Sequence, residues 1–340
     1  MRAIWITRYG GPDVLEVREA PDPVPDPGKI RVRVKACGLN FAEMMARKGM
    51  YPDAPKPPCV VGYEAAGVVD LLGEGVTSVK VGDRVVVMVK FGAHADTVIA
   101  APGQAFPMPP AMSFEEGAAI PVNYMTSHLM LFRAAALRPG GSVLIHMAAG
   151  GVGLSAIQLC RTVPDVTIFG TASATKHDFL RQAGCTHPID YHTLDYAAEV
   201  MRLTDNRGVD IVLDPLGGKD WKKGLTLLKP FGMLVAFGFA NLSRGDTRSW
   251  IHAVGQLLSV PLLSPLSLMV KNRSVAGVHV GHLWHEPELV AETLRALLSL
   301  YAAGKIKPHI DKVFQFSEAA AAHRRMQGRE NVGKIILAPD

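Results

Sequence analysis

The run HMAAGGVGLSAIQLC, residues 146 to 160, crowds three glycines, Gly150, Gly151 and Gly153, between two apolar segments. SVLIHM before it reads as a strand, and GLSAIQLC within it reads as a helix. In that setting a glycine-rich turn brings backbone N–H groups and the positive end of a helix to a pyrophosphate. The spacing G-x-G-x-x-G is met as Ala148-x-Gly150-x-x-Gly153, with alanine in the first place. Gly150 lets the pyrophosphate approach the backbone, and Gly153 lets the helix pack against the strand. Ala148, Gly150, Gly151, Val152 and Gly153 are therefore the expected dinucleotide turn. The plainer alternative is a tight turn that holds no ligand.

The next strand selects the dinucleotide. An NAD site carries Asp or Glu about 20 residues on, to hold the ribose 2′-hydroxyl. Here VTIFG runs into Thr171, Ala172, Ser173, Ala174, Thr175 and Lys176, with no acid. A hydroxyl and an ammonium suit a 2′-phosphate, so NADP(H) is expected, held in part by Ser173 and Lys176. Lys176 also fits an ordinary solvated position at a helix start. Phe237, Gly238 and Phe239 end a further strand at its carboxyl edge, where open α/β sheets bind ligands.

Alternating elements must position these residues. From Ser142 onward strand and helix follow one another: GGSVLIHMA, GLSAIQLCRTV, VTIFGTA, KHDFLRQAG, HPIDY, DYAAEVMRLT, VDIVLDPLG, KKGLTLLKP, MLVAFGF and SVAGVHVG. Such alternation predicts a doubly wound parallel sheet. The first hundred residues differ. IRVRVKACG, VVGYEAAGVVDLLG and GDRVVVMV are short strands between turn dipeptides, with one helix near Asn40–Lys48. Ser113 followed by Glu116 is a capping box. The expected fold class is α/β: a β-rich domain over residues 1–122, completed by about 270–340, with a nucleotide-binding domain inserted over 123–269.

Composition narrows the function classes. A 340-residue chain with 48% apolar residues and a formal charge of +5 affords a real core. Its basic residues are scattered, so a nucleic-acid surface is not expected. The widely spaced Cys37, Cys59, Cys160 and Cys185 suit a reducing cytoplasm rather than a disulfide framework. MRAIWITRYGG enters strand-like alternation without signal-peptide features. SWIHAVGQLLSVPLLSPLSLMV, residues 249 to 270, has no Asp, Glu, Lys or Arg. Its length is that of a membrane span, but Pro261 and Pro265 favour an apolar lid or interface helix, with peripheral membrane contact as the alternative.

HMAAGGVG, QLCRTV, FGTASATKH, THPIDYHT, GVDIVLDPLGG, LLKPFG, IKPHID and NVGKIIL together resemble the medium-chain dehydrogenase/reductase superfamily over essentially the whole chain. The branch resembled is that of zinc-independent quinone oxidoreductases, and within it the VAT-1 homologues. The resemblance implies a GroES-like catalytic domain fused to a Rossmann domain, NADPH as cofactor, and a homodimer. Where zinc-dependent relatives place their ligands, this chain has Asn40, Tyr63 and approximately Val122, none a usual zinc ligand. His279, His282 and His285 form the one other metal-like spacing, in a segment broken by Gly281 and Pro287.

By the same resemblance Asn40 and Tyr51, in CGLNFAEMMARKGMYP, would face a quinone or enone oxygen. Asn40 equally suits a helix N-cap, and Tyr51 a packed loop aromatic. Thr126 would lie near the nicotinamide, or back-bond to its own helix. Tyr191 and Ser173 match positions that hold the adenosine 2′-phosphate, and Asn331 matches a loop that closes over the cofactor. The implied function is NADPH-dependent reduction of quinones or α,β-unsaturated carbonyls without zinc. The alternative is a non-catalytic NADPH-binding protein associated with a membrane or partner.

Overall fold

The structure is a computed structural model and describes residues 1–247 and 249–340. The chain gathers into two compact units. One comprises Met1–Met125, a short excursion beginning at Gly245, and Gly281–Asp340; the other comprises Thr126–Arg244 and Ser249–Val280.

The first unit opens with β1 (Arg2–Ile6), β2 (Leu15–Glu19), β3 (Ile30–Leu39), α1 (Phe41–Arg47), β4 (Cys59–Val60), β5 (Glu64–Leu72), β6 (Arg84–Met88), β7 (Thr97–Ala100), β8 (Ala105–Pro107) and α2 (Phe114–Ala119). Strand β3 shows why these segments form a sheet. Ile30, Val32 and Val34 are buried, while Arg31 and Arg33 alternate outward and share Asp70 of β5 at 2.9 and 2.8 Å. The predicted capping box starts α2: Ser113 N donates to Glu116 Oε2 and Glu116 N donates to Ser113 Oγ.

The second unit follows α3 (Pro121–His128), whose last residues belong to it. Its elements are β9 (Ser142–Ile145), α4 (Gly151–Cys160), β10 (Thr167–Ala172), α5 (His177–Ala183), β11 (His187–Asp190), α6 (Tyr196–Leu203), β12 (Val209–Asp214), α7 (Lys219–Thr226), β13 (Leu228–Ala236), α8 (Trp250–Leu258), α9 (Pro265–Lys271) and β14 (Ser274–Gly277). All six strands are parallel, in the order β11-β10-β9-β12-β13-β14. Every residue of β9 is buried, as a central parallel strand covered on both faces requires. The chain reverses its direction of winding between β9 and β12, and the crevice beyond their carboxyl ends is where such sheets bind ligands.

The uncharged segment is two helices rather than one. Ser264 caps α9, whose first residue is Pro265. No helix among the described residues is long and apolar enough to cross a membrane. Two expected boundaries also move. Leu228-Lys229-Pro230 belongs to β13 rather than to the preceding helix, and the strand expected over SVAGVHVG ends at Gly277.

The chain then returns to the first unit as α10 (Pro287–Ala302), β15 (Ile310–Gln315), α11 (Ala319–Gln327) and β16 (Lys334–Ala338). Strand β16 pairs antiparallel with β3, Ile336 opposite Gly38, and so completes the β-rich sheet β15-β16-β3-β5-β6-β8. The core of this unit joins Val32, Val34, Val85 and Val87 to Phe314, Phe316 and Ile335.

Candidate functional site

The glycine turn sits at the end of β9, in the second unit. Ala148 N donates to Thr171 O of the neighbouring β10 at 3.0 Å, and Gly150 precedes the first turn of α4. Leu154 N is the first to find an acceptor inside the helix, on Gly150 O. The N–H groups of Gly151, Val152 and Gly153 precede it and have no intrahelical acceptor. A Cβ on Gly153 would lie 2.4 Å from Ala148 O, so only glycine lets the helix start this close to the strand end. A Cβ on Gly150 would meet nothing nearer than Met147 O at 3.3 Å, leaving room for a ligand's approach. The turn therefore fits a pyrophosphate. Alanine is tolerated at position 148 because Gly170 lies opposite on β10. A Cβ there would come within 2.9 Å of Ala148 Cβ and 2.8 Å of Cys185 Sγ.

The expected 2′-phosphate residues lie on adjacent strand ends. Ala172 of β10 is in register with Asp190 of β11, so Ser173 and Lys176 follow one strand and Tyr191 follows its neighbour. Ser173 Oγ is 3.3 Å from Thr175 Oγ1, and Tyr191 is exposed against the His192 ring. Phe237, Gly238 and Phe239 follow β13, with Phe237 N donating to Asp214 O at 3.2 Å. Thr126 is buried on α3. Beside the turn, His146 is buried, its Nδ1 3.1 Å from Thr171 Oγ1 and its ring edge-on to Tyr196. Burial pushes its pKa down to about 4, which keeps the imidazole neutral near pH 7.

The first unit holds a buried charge network around Asn40. Asn40 stands at the N-cap of α1, and its backbone N–H donates to Glu43 Oε2 at 2.8 Å. Its side-chain nitrogen donates to Glu64 Oε1 at 2.9 Å and Glu43 Oε1 at 3.3 Å. Its side-chain oxygen accepts from Lys334 Nζ at 2.6 Å. Both amide hydrogens are thus engaged inside the protein, and donation to a substrate oxygen would require one to be released. Lys334 also donates to Glu64 Oε1, and Glu64 Oε2 accepts from Val122 N at 2.7 Å. Glu43 and Glu64 are fully buried, and the Lys334 ammonium pairs with Glu64. Burial pushes Glu43 up to about 7 even though Lys334 pulls it down.

Tyr51 lies near Tyr63, ring centroids 6.4 Å apart and edge to face. Burial raises both phenol pKa values. Of Asn40, Tyr63 and Val122, which the resemblance sets at or near the zinc-ligand places of other relatives, Asn40 and Val122 bond to Glu64. Among the described residues, the one cluster of three metal-ligating side chains is wholly exposed and includes none of them. His279 follows β14, His282 closes a 3-10 turn and meets Asp53 at 2.6 Å, and His285 is exposed before α10. Asn331, in the turn after α11, donates to Gly333 O at 2.9 Å.

Nothing local in the sequence marks Glu43, Glu64 or Lys334 as buried. Asp214, in VDIVLDPLGG, is also fully buried, and its Asp-Pro-x-Gly run is a turn signal.

Two family models match the chain: "Alcohol dehydrogenase GroES-like domain" over residues 26–110 and "Zinc-binding dehydrogenase" over residues 183–337. The human synaptic vesicle membrane protein VAT-1 homolog is 49% identical over 341 residues, covering 100% of this chain and 86% of the relative. The crystal structure of human VAT-1 homolog-like protein superposes with a TM-score of 0.87 at 37% identity, covering 100% of this chain and 98% of that one. Escherichia coli quinone oxidoreductase, solved in complex with NADPH, gives 0.88 at 30% identity, with both chains fully covered. The chain belongs to the medium-chain dehydrogenase/reductase superfamily, closely related to the VAT-1 homologues and the quinone oxidoreductases.

Proposed function

We propose that the protein is an NADPH-dependent reductase of quinones or α,β-unsaturated carbonyls that works without zinc. The observation that carries this reading is the Gly150–Gly153 turn at the switch point of a six-stranded parallel sheet, followed by Ser173 and Lys176 where an NAD site has an acid. The relation to a quinone oxidoreductase solved with NADPH supports it. NADPH supplies a hydride to a carbon conjugated with a carbonyl. The chain's share is to bind, orient and exclude water. The α4 N-terminus receives the pyrophosphate, and Ser173, Lys176 and Tyr191 receive the 2′-phosphate. Asn40 and Tyr51 remain the candidate groups for the acceptor's oxygen. The four buried, unbridged cysteines support a reducing, cytoplasmic setting.

Fluorescence titration tests the cofactor. NADPH should bind at least about 10-fold more tightly than NADH, one charge-assisted contact's worth. Lys176→Glu should erase that preference. Equal binding of both dinucleotides by the unaltered protein refutes the assignment. Turnover with a quinone and an enone then tests the reaction.

A second reading is favoured by the outer faces of α8 and α9. Ile251 is 90% exposed and Leu258 83%, with Trp250, Leu266 and Val270 also exposed, and Leu262 in the loop between the helices is 101% exposed. An apolar surface of this kind marks an interaction site. Among the described residues strand β14 has a single sheet neighbour, β13, so one of its edges is open for pairing there. Together they support a homodimer, with peripheral membrane contact as the competing use. Light scattering at micromolar concentration should give twice the chain mass of 36.5 kDa. A monomer that floats with liposomes would instead favour the membrane-associated, non-catalytic reading.

A further inference from the structure

Asp214 ends β12, one of the two strands beside the switch point, and is fully buried. Its Oδ1 accepts from Leu216 N at 2.6 Å and from Gly217 N at 3.2 Å. The turn so held needs positive φ at Gly217 and Gly218. It is laced to the segment after β13. Pro215 O accepts from Ala240 N at 2.7 Å, and Leu216 O from Asn241 N at 2.9 Å. Asn241 Nδ2 donates to Gly217 O and to Asp220 Oδ2. A Cβ on Gly217 would lie 2.2 Å from the Phe239 ring, so turn and ring fix each other's place.

Asp214 Oδ2 is buried and has no hydrogen-bond partner among the described residues. A carboxylate kept only for folding would have both oxygens bonded, because an unpartnered buried anion is costly. The groups around it do not neutralise it. Asp220 of α7 adds negative charge, Tyr196 of α6 donates to Asp220, and His146 of β9 is neutral. The nearby Lys223 is paired with Asp195.

We propose that Asp214 is a positioning residue: its charge sets the 215–218 turn, and through it Phe237–Phe239, in the arrangement that receives NADPH. This rests on the NADPH reading above. Burial, aided by Asp220, pushes the Asp214 pKa up to about 6. A folded-state value above the ordinary 3.8 means that the fold gains stability from this group as pH falls through 6 towards 3.8. Protonation meanwhile weakens the charge-assisted bonds to Leu216 and Gly217. Stability and cofactor binding should therefore respond to this proton in opposite directions, which a purely structural residue would not cause.

The test compares NADPH affinity and unfolding midpoint for the wild type and Asp214→Asn from pH 8 to pH 5. At pH 8 the variant should bind about 10-fold more weakly, the difference between charged and neutral acceptors, with an equal or higher midpoint. By pH 5 the two affinities should converge. Titration of the cofactor's own 2′-phosphate is common to both proteins and cancels in the ratio. A ratio that stays at one, or stays constant with pH, overturns the inference. If the amide variant does not fold, Asp214→Ser, which keeps one acceptor, is read by the same criteria. A wild type that binds neither NADPH nor NADH removes the function reading itself; normal wild-type binding with an indifferent variant removes only this inference.

Discussion

Replacing Lys334 with methionine should cost about 3–5 kcal/mol of stability, the usual penalty for stranding one half of a buried ion pair. Lys334 Nζ is shared between Glu64 Oε1 and Asn40 Oδ1, and both charged side chains are buried, 3% and 0% exposed. Without the ammonium, Glu64 is left with neutral donors such as Asn40 Nδ2 and Val122 N. Glu43, already pushed up to about 7, loses the Lys334 cation that lowers it. For a unit of this size the melting temperature should fall by about 10 °C. Adding Glu64→Leu to the same chain should recover much of the loss, because a wholly apolar replacement of a buried pair is often neutral. Chemical denaturation of the single and double variants decides the matter. A single variant as stable as the parent would mean that the pair contributes nothing.

Gly153→Val should abolish dinucleotide binding, and the reason is steric. The added Cβ would sit 2.4 Å from Ala148 O and 2.6 Å from two further Ala148 backbone atoms, and backbone cannot yield as a flexible side chain would. The start of α4 must move off the strand end, carrying its free N–H groups with it. A displacement of about 1 Å is worth about 100-fold where geometry is this tightly used. Gly150→Ala supplies the control. Gly150 has φ −79, which alanine adopts freely, and its Cβ meets only Met147 O at 3.3 Å. That variant should melt like the parent yet bind NADPH more weakly. Titration and melting curves for both are the measurement. Unimpaired NADPH binding by Gly153→Val would show that the turn is architecture without a ligand.

Why some of this was legible in the sequence and some was not follows from the range of the interactions. Strand β9 and the strands beside it announce themselves because parallel strands covered on both faces are continuous apolar runs, and SVLI and VDIVL are such runs. The glycine spacing is equally local. Strand β15 gives no such signal: in IDKVFQ only Phe314 is buried, and its partner β16 lies beyond α11. The break between α8 and α9 is written in Pro261, Ser264 and Pro265, inside a run whose lack of charge has the length of a single helix. The Asn40 network is the harder case. Its members lie at positions 40, 43, 64, 122 and 334, brought together only when β16 pairs with β3. A lone Lys or Glu in a sequence reads as surface, and only the fold shows these to be interior.

The alanine at position 148 has a corollary for how such chains diverge. The crowding usually relieved by the first glycine of the turn is relieved here across the sheet, at Gly170, whose missing Cβ leaves space for Ala148 Cβ and Cys185 Sγ together. The two positions form a single volume with two owners. Descendants of this chain can enlarge one only by shrinking the other, so substitutions at 148 and 170 should travel as a pair. A glycine count taken from the turn alone would then misjudge relatives that have moved the vacancy to the neighbouring strand.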